Sequence, residues 1–337
     1  MNVSGRKWRW GVNRWMILSL IILSVYLSGV ISPIMPHIQL PAERITHEPL
    51  FTLPIIDEFY LTNTLVATLL ADIVLISVAF SVRRASRSGK QVFSGIASAV
   101  EAITEVLYNL VESTVGKWAT AILPFFATIV LLVLVANWME LIPGVDTIGL
   151  LEHSEHGYKA QEVFAGVDTI VKEIPEHGEG GKVLVPFVRA AATDLNFTLA
   201  LAMVSVIMTQ VIGVRALGPR YFSKFLNFGN FFKMWTRVRL GPFDVMFPFI
   251  NIFVGMLETV AEVAKILSFS FRLFGNIFAG AVLLFVLGSL LPAIQWGVII
   301  LELFFGLIQA LVFGMLTMMF MTMAVQSHHD ESEESHA

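Results

Sequence analysis

The sequence predicts an all-α membrane protein of about six transmembrane helices, with an interfacial amphipathic helix and a long, strongly tilted C-terminal helical hairpin. Three observations carry this prediction. Of 337 residues, 56% are hydrophobic and only 14% charged, with a mean hydropathy of +0.75, more apolar surface than a soluble fold can bury. Apolar stretches near or above the roughly 18 residues of a membrane span recur along the whole chain. Basic residues gather in three places: Arg6, Lys7, Arg9 and Arg14; Arg83, Arg84, Arg87 and Lys90; and Arg215, Arg220, Lys224, Lys233, Arg237 and Arg239.

Hydropathy places the spans at Trp15–Ser32, Leu61–Val82, Ala119–Ile142, Asp194–Val214, Phe243–Leu290 and Pro292–Val325. With six spans, all three basic clusters fall on one side, as the positive-inside rule requires of cytoplasmic segments. Both termini are then cytoplasmic if the first span is retained. The opposite side receives Pro33–Tyr60 and the loop Pro143–Thr193, with Glu152, Glu155, Asp168, Glu173, Glu176 and Glu179. The chain thus divides into a basic N-terminus with an extra span (1–33), an extracytoplasmic segment (34–60), a membrane domain (61–326) interrupted by an outer loop (143–193), and a polar acidic tail (327–337) expected to be disordered. The first span has a second reading as the hydrophobic region of a signal peptide, because its apolar core is short and Ser28 and Gly29 follow.

Val92–Lys117 is too polar to span, yet Val92, Ile96, Val100, Ile103, Leu107, Leu110 and Val111 recur at helical spacing, which predicts an interfacial amphipathic helix. The pentapeptide GVDTI occurs at Gly144–Ile148 and again at Gly166–Ile170, too short an echo to define a repeat. The cysteine count is zero, which excludes disulfides, thiolate metal sites and a thiol nucleophile. His153, His156 and His177 are spaced unspecifically for a metal and read as solvated loop histidines. Met315, Met318, Met319, Met321 and Met323 read as lipid-facing or packing surface rather than a thioether site. No GxxxxGK[ST] or HExxH motif is present, so the chain itself is expected neither to handle nucleotide nor to hydrolyse peptides. No cofactor, metal or nucleic-acid partner is expected.

The fifth segment is helical and free of proline from Phe249 to Leu291, a run of roughly 60 Å at the helical rise. An upright span needs about half that length, so the helix tilts steeply or leaves the bilayer at its cytoplasmic end. Glu258, Glu262, Lys265, Ser268, Arg272 and Asn276, at spacings of four, three, three, four and four, form one polar stripe along it. A charge at bilayer depth costs about 3 kcal/mol on insertion scales, so such groups face protein or water and mark ion pathways. For Glu258, Glu262 and Lys265 a structural ion-pair stripe is the competing reading. Arg272 has no acidic residue within one turn on its own helix. In the sixth segment Glu302 and Gln309, seven residues apart, share nearly one face. A hairpin turning at Leu291 and Pro292 sets Gln309 roughly opposite Arg272, and Glu302 level with Gly280 and Ala281.

Leu267–Gly280, LSFSFRLFGNIFAG, resembles the signature of subunit a of F-type rotary ATP synthases, and Ile308–Thr317, IQALVFGMLT, resembles the glutamine-bearing stretch of that family's last helix. Asn137 and Glu140 before Leu141, Ile142 and Pro143 resemble its N-x-x-D/E-L-x-P turn. Asp194, Leu195, Asn196 and Thr198 resemble the start of the following helix. The resemblance covers Phe51–Ser327 and is strongest over the hairpin. Where some members carry glutamate after the signature's glycine, this chain has Ala281; where those members carry histidine, it has Glu302.

The resemblance implies a stator subunit of the membrane sector, partnered by a ring of c subunits, peripheral-stalk b subunits and the remaining complex. Arg272 would face the ring carboxyl and force its deprotonation. Asn137, Glu140, Asp194, Asn196, Glu302 and Gln309 would load the ring, and Asn276 would lie on the proton path. Glu258, Glu262 and Ser268 would unload it, with Lys265 a structural polar residue. A bacterial cell membrane suits the charge pattern best. The rivals are a secondary transporter, whose internal repeats and broken helices are missing from this sequence, and a structural anchor, which leaves the cost of Arg272 unexplained.

Overall fold

The computed structural model describes residues 14–15, 18–19, 22–23, 26, 41–46, 48–54, 57–87, 95–142, 144–154, 157–164, 167–171, 181–225, 242–290 and 292–326. Among them the elements run β1 (Phe51–Leu53), β2 (Asp57–Phe59), α1 (Asn63–Arg87), α2 (Ile96–Val115), α3 (Ala119–Met139), β3 (Gly149–Ser154), β4 (Lys159–Phe164), β5 (Val167–Val171), β6 (Gly181–Pro186), α4 (Leu195–Leu217), α5 (Pro242–Leu290) and α6 (Pro292–Gln326). Most of the expected first span, the acidic tail, the turn at Leu291, and Lys90, Lys233, Arg237, Arg239, Glu155, Glu173, Glu176, Glu179, His156 and His177 lie outside the described residues.

Among the described residues five helical stretches are long and apolar enough to cross a bilayer: Asn63–Arg87, Ala97–Met139, Leu195–Leu217, Ile252–Gly288 and Ile294–Val325. Their outward faces are hydrocarbon: Ile76 is 66% exposed, Phe80 68% and Ile300 70%. Only lipid solvates such faces without penalty, and the protein is an α-helical integral membrane protein. Within Ala97–Met139, a 3₁₀ turn at Gly116–Trp118 separates the amphipathic α2 from the predominantly apolar α3. The fifth segment starts earlier than the proline-free run. Helix α5 spans 49 residues, about 74 Å at the helical rise, and passes Pro248 near its start.

The fold separates into two compact units, and α1, α3, α5 and α6 each contribute to both. The first unit comprises Met1–Ala67, Asn137–Thr193 and Ile277–Gly306. Its outer segments fold into short antiparallel ladders rather than irregular loop. β1 pairs with β2, where the rings of Phe51 and Phe59 stack at 4.6 Å. β3 pairs with β6 from Gly149↔Pro186 to Ser154↔Gly181, and β4 with β5 from Lys159↔Val171 to Phe164↔Val167. The echoed pentapeptide takes two conformations: Val145–Thr147 is a 3₁₀ turn, while Val167–Ile170 lies in β5. Start of helix α1 is tied down by Asn63, whose Nδ2 donates to Glu43 Oε2 at 3.1 Å.

The second unit comprises Thr68–Ala136, Asp194–Asn276 and Leu307–Ala337. Ile122, Phe126 and Val133 of α3, Leu273 of α5, and Met318 and Met321 of α6 are fully buried. Met315, Met319 and Met323 are exposed; the methionine run is therefore part packing and part outward surface. Phe269 sits between Phe313 and Phe320, at 5.2 and 5.5 Å. Two hydroxyl pairs cross between helices: Thr198 with Ser270 at 3.0 Å and Ser205 with Thr317 at 2.7 Å. Each satisfies a polar group that hydrocarbon would leave bare.

Candidate ion path along the C-terminal hairpin

In the second unit Arg272 stands on an exposed face of α5. Its Nη2 donates to Ser268 Oγ, one turn back, over a long 3.4 Å. Among the described residues no carboxylate comes within ion-pairing distance of it. One turn further, Asn276 Nδ2 donates to Gln309 Oε1 at 2.8 Å. Gln309, which the residue count sets roughly opposite Arg272, thus bonds the asparagine one turn beyond it. Gln309 is 4% exposed, and its Nε2 has no partner among the described residues. Buried amides are normally satisfied, which sets this donor apart from the other polar groups of the hairpin.

Towards the N-terminal end of α5 the stripe is ion-paired. Lys224 Nζ lies 2.6 Å from Glu258 Oε1 and 3.5 Å from Glu262 Oε1, while Lys265 Nζ lies 2.8 Å from Glu262 Oε1. Lys265 Nζ also sits 4.7 Å over the Phe320 ring, an added cation–π contact. Asp194 caps α4, its carboxylate accepting the Asn196 N–H at 2.8 Å, which satisfies an orphan donor of the first turn. The Asn196 side chain is exposed.

In the first unit, the end of α3 is pinned to α6. Asn137, 4% exposed, donates its Nδ2 to Gly306 O at 3.4 Å, and Trp138 Nε1 donates to Leu303 O at 3.1 Å. Asn137 Oδ1 is a second buried polar atom without a partner among the described residues. Glu302 lies against Gly280, where even a Cβ would overlap its carboxylate; the missing side chain makes room for the acid. Glu140, half-buried just beyond α3, lies in the electrostatic field of Asp146, Glu302 and Arg189. Burial raises the Asp146 carboxyl to about 6, with Arg189 opposing the rise.

Four participants were not singled out by sequence reasoning. Lys224 was read only as part of a sidedness cluster, and Trp138 as one of many apolar residues. Asp146 lay inside the GVDTI echo. Arg189 carried a signal that could have found it, a cation at the end of an acidic outer loop and close to the next span.

A long apolar helix pair that carries an arginine without an ion pair among the described residues, with buried amides and carboxylates arrayed along it, defines a membrane protein of the ion-translocating class. The family model described as ATP synthase A chain matches residues 64–322, and the chain belongs to that family. Relatives named ATP synthase subunit a include those of Mycobacterium bovis and Mycobacterium tuberculosis, each 28% identical over 281 residues that cover 82% of this chain and 89% of theirs. That of Pseudoalteromonas atlantica is 32% identical over 234 residues, 68% of this chain and 75% of its own. The chain is accordingly a non-catalytic component of the membrane sector, and the transporter and anchor readings fall away.

Proposed function

We propose that this chain is the stator subunit that carries protons to and from a turning ring of c subunits. The observation that carries the reading is Arg272, charged, outward-facing and without a carboxylate partner among the described residues. A guanidinium does not lose its proton in practice, and keeping it at bilayer depth unpaired costs several kcal/mol. A passing carboxylate on the ring supplies the missing counter-charge. Facing it, the ring acid gives up its proton, because a neighbouring cation favours the ionised form. A proton therefore cannot cross directly and has to travel round with the ring.

Asn137, Glu140 and Glu302, together with Asp194, Asn196 and Gln309, are assigned to loading the ring. Asn276 holds the Gln309 amide through their 2.8 Å hydrogen bond. Ser268, Glu258 and Glu262 are assigned to release on the cytoplasmic side, with Lys265 a structural partner of Glu262. The orphan atoms Gln309 Nε2 and Asn137 Oδ1 support a hydrated path rather than dry packing. Peripheral-stalk b subunits and the rest of the synthase are the further partners, in a bacterial cell membrane. Each charge crossing is worth about 2.3 kcal/mol per 100 mV, so synthesis of one ATP draws on several. The test is ATP-driven proton pumping in vesicles that hold the assembled complex with Arg272→Ala. Pumping at background is expected; undiminished pumping ends the reading.

A further inference from the structure

The residues assigned to proton release share a cation that no role has yet been given. Gly218, at φ 65, ends α4 in the left-handed region that favours glycine and turns the chain into the 3₁₀ segment Gly218–Lys224. Tyr221 anchors that segment: it is 1% exposed, its hydroxyl donates to Gln210 Oε1 at 2.6 Å, and its ring lies where a Cβ on Gly213 would be. The Phe225 carbonyl rests directly on Gly255 of α5, a contact any side chain there would block. Gly255, Glu258 and Glu262 lie three and seven residues apart, on one face of the helix. The docked segment thus delivers Lys224 onto both carboxylates.

We propose that Lys224 is a positioning residue of the proton exit: it gathers the carboxylates of Glu258 and Glu262 around one cation, and so sets the electrostatic environment in which the exit handles a proton. The proposal rests on reading those glutamates as exit groups. Glu262 keeps Lys265 as a second partner, whereas Lys224 is the one ion partner of Glu258 among the described residues. Burial works to lower the Lys224 ammonium, but the hydrogen bond and charge of Glu258, with Glu262 behind it, more than offset this and raise it. The lysine therefore stays charged. The other groups facing the pair are Tyr221, whose hydroxyl is kept neutral by burial, and Lys265. Helix α6 adds no charge at this level, since Glu302 is its only charged residue; Arg215 of α4 is exposed.

The experiment uses inverted vesicles with the assembled complex and varies pH on the cytoplasmic side. Taking a cation away from beside a pair of acids favours the protonated form. With Lys224→Gln, the pH above which ATP-driven pumping falls off should therefore move upward by about one unit, and Lys224→Arg should restore it. An unmoved profile in Lys224→Gln, where Glu258→Gln does alter it, overturns the proposal and leaves the exit reading standing. If Glu258→Gln is also silent, the exit reading itself fails. Should Lys224→Gln not assemble, the variant with both Lys224→Gln and Glu258→Gln leaves no unpaired carboxylate at 258 and carries the test. Through Glu262, its profile should lie above that of Glu258→Gln alone, and an identical profile overturns the coupling.

Discussion

Helix α5 handles charge in two ways within about four turns. From Glu258 to Lys265, each ionised group closes on another: Lys224 on Glu258 and Glu262, Lys265 on Glu262. At Arg272 the same helix presents a cation whose neighbours are a serine hydroxyl at 3.4 Å and, one turn on, an asparagine already committed to Gln309. Pairing within the chain makes a membrane charge tolerable without further help. A charge left open is tolerable when its counter-charge arrives from elsewhere. On the proposed reading, the difference separates charges that shape this subunit from the one that addresses its partner.

The contrast can be broken directly by giving Arg272 a partner of its own. Asn276→Asp places a carboxylate at the i+4 position, and coupled pumping is expected to fall at least about tenfold, the factor that 1.4 kcal/mol of pairing represents; normal pumping would show that an occupied Arg272 still works. Glu302→Gln comes next. Glu302 also has no salt bridge among the described residues and fills the space left by Gly280. Partial loss of pumping is expected, and full retention would reduce it to packing.

A smaller effect belongs to Asp146, in the first unit. Its folded value of about 6 lies above the ordinary 3.8, so its contribution to stability is present below about pH 4 and is lost as pH rises through 6. The melting temperature of Asp146→Asn relative to the unaltered protein should therefore climb between pH 4 and about 7, with the two differing least at the acid end. A gap independent of pH would refute the assignment. The smallest effect marks the neutral baseline: Ser205→Ala removes one hydroxyl from the pair with Thr317 and should cost about 0.6–1.7 kcal/mol while leaving the pH profile of pumping unchanged.

Much of this was legible in the residue order. The spans at Leu61–Val82, Ala119–Ile142 and Asp194–Val214 correspond to α1, α3 and α4 with ends moved by a few residues. The amphipathic segment appears as α2, and the hairpin as α5 and α6. Glu302 meets Gly280 at the expected level. Other features were not legible. The outer loop gave no sign of its β3–β6 ladder, because its strands are short and its alternation weak. Identical VDTI tetrapeptides became a turn and a strand according to their pairing partners. Of the two readings open for Glu258, Glu262 and Lys265, the structure displays the ion pairs, but through a lysine distant in sequence.

What the sequence determined by itself is what depends on local composition: which segments enter the bilayer, where positive charge gathers, and that six polar residues share one stripe of α5. Transfer free energy and helical periodicity are properties of a segment alone, so they can be read without the fold. Only the tertiary structure decided which polar group meets which. A slip of one residue moves a side chain by 1.5 Å along the helix and about 100° around it, and a hydrogen bond or ion pair tolerates neither. That is why Gln309 meets Asn276, why Lys224 reaches Glu258, and why Arg272 is left without a carboxylate among the described residues.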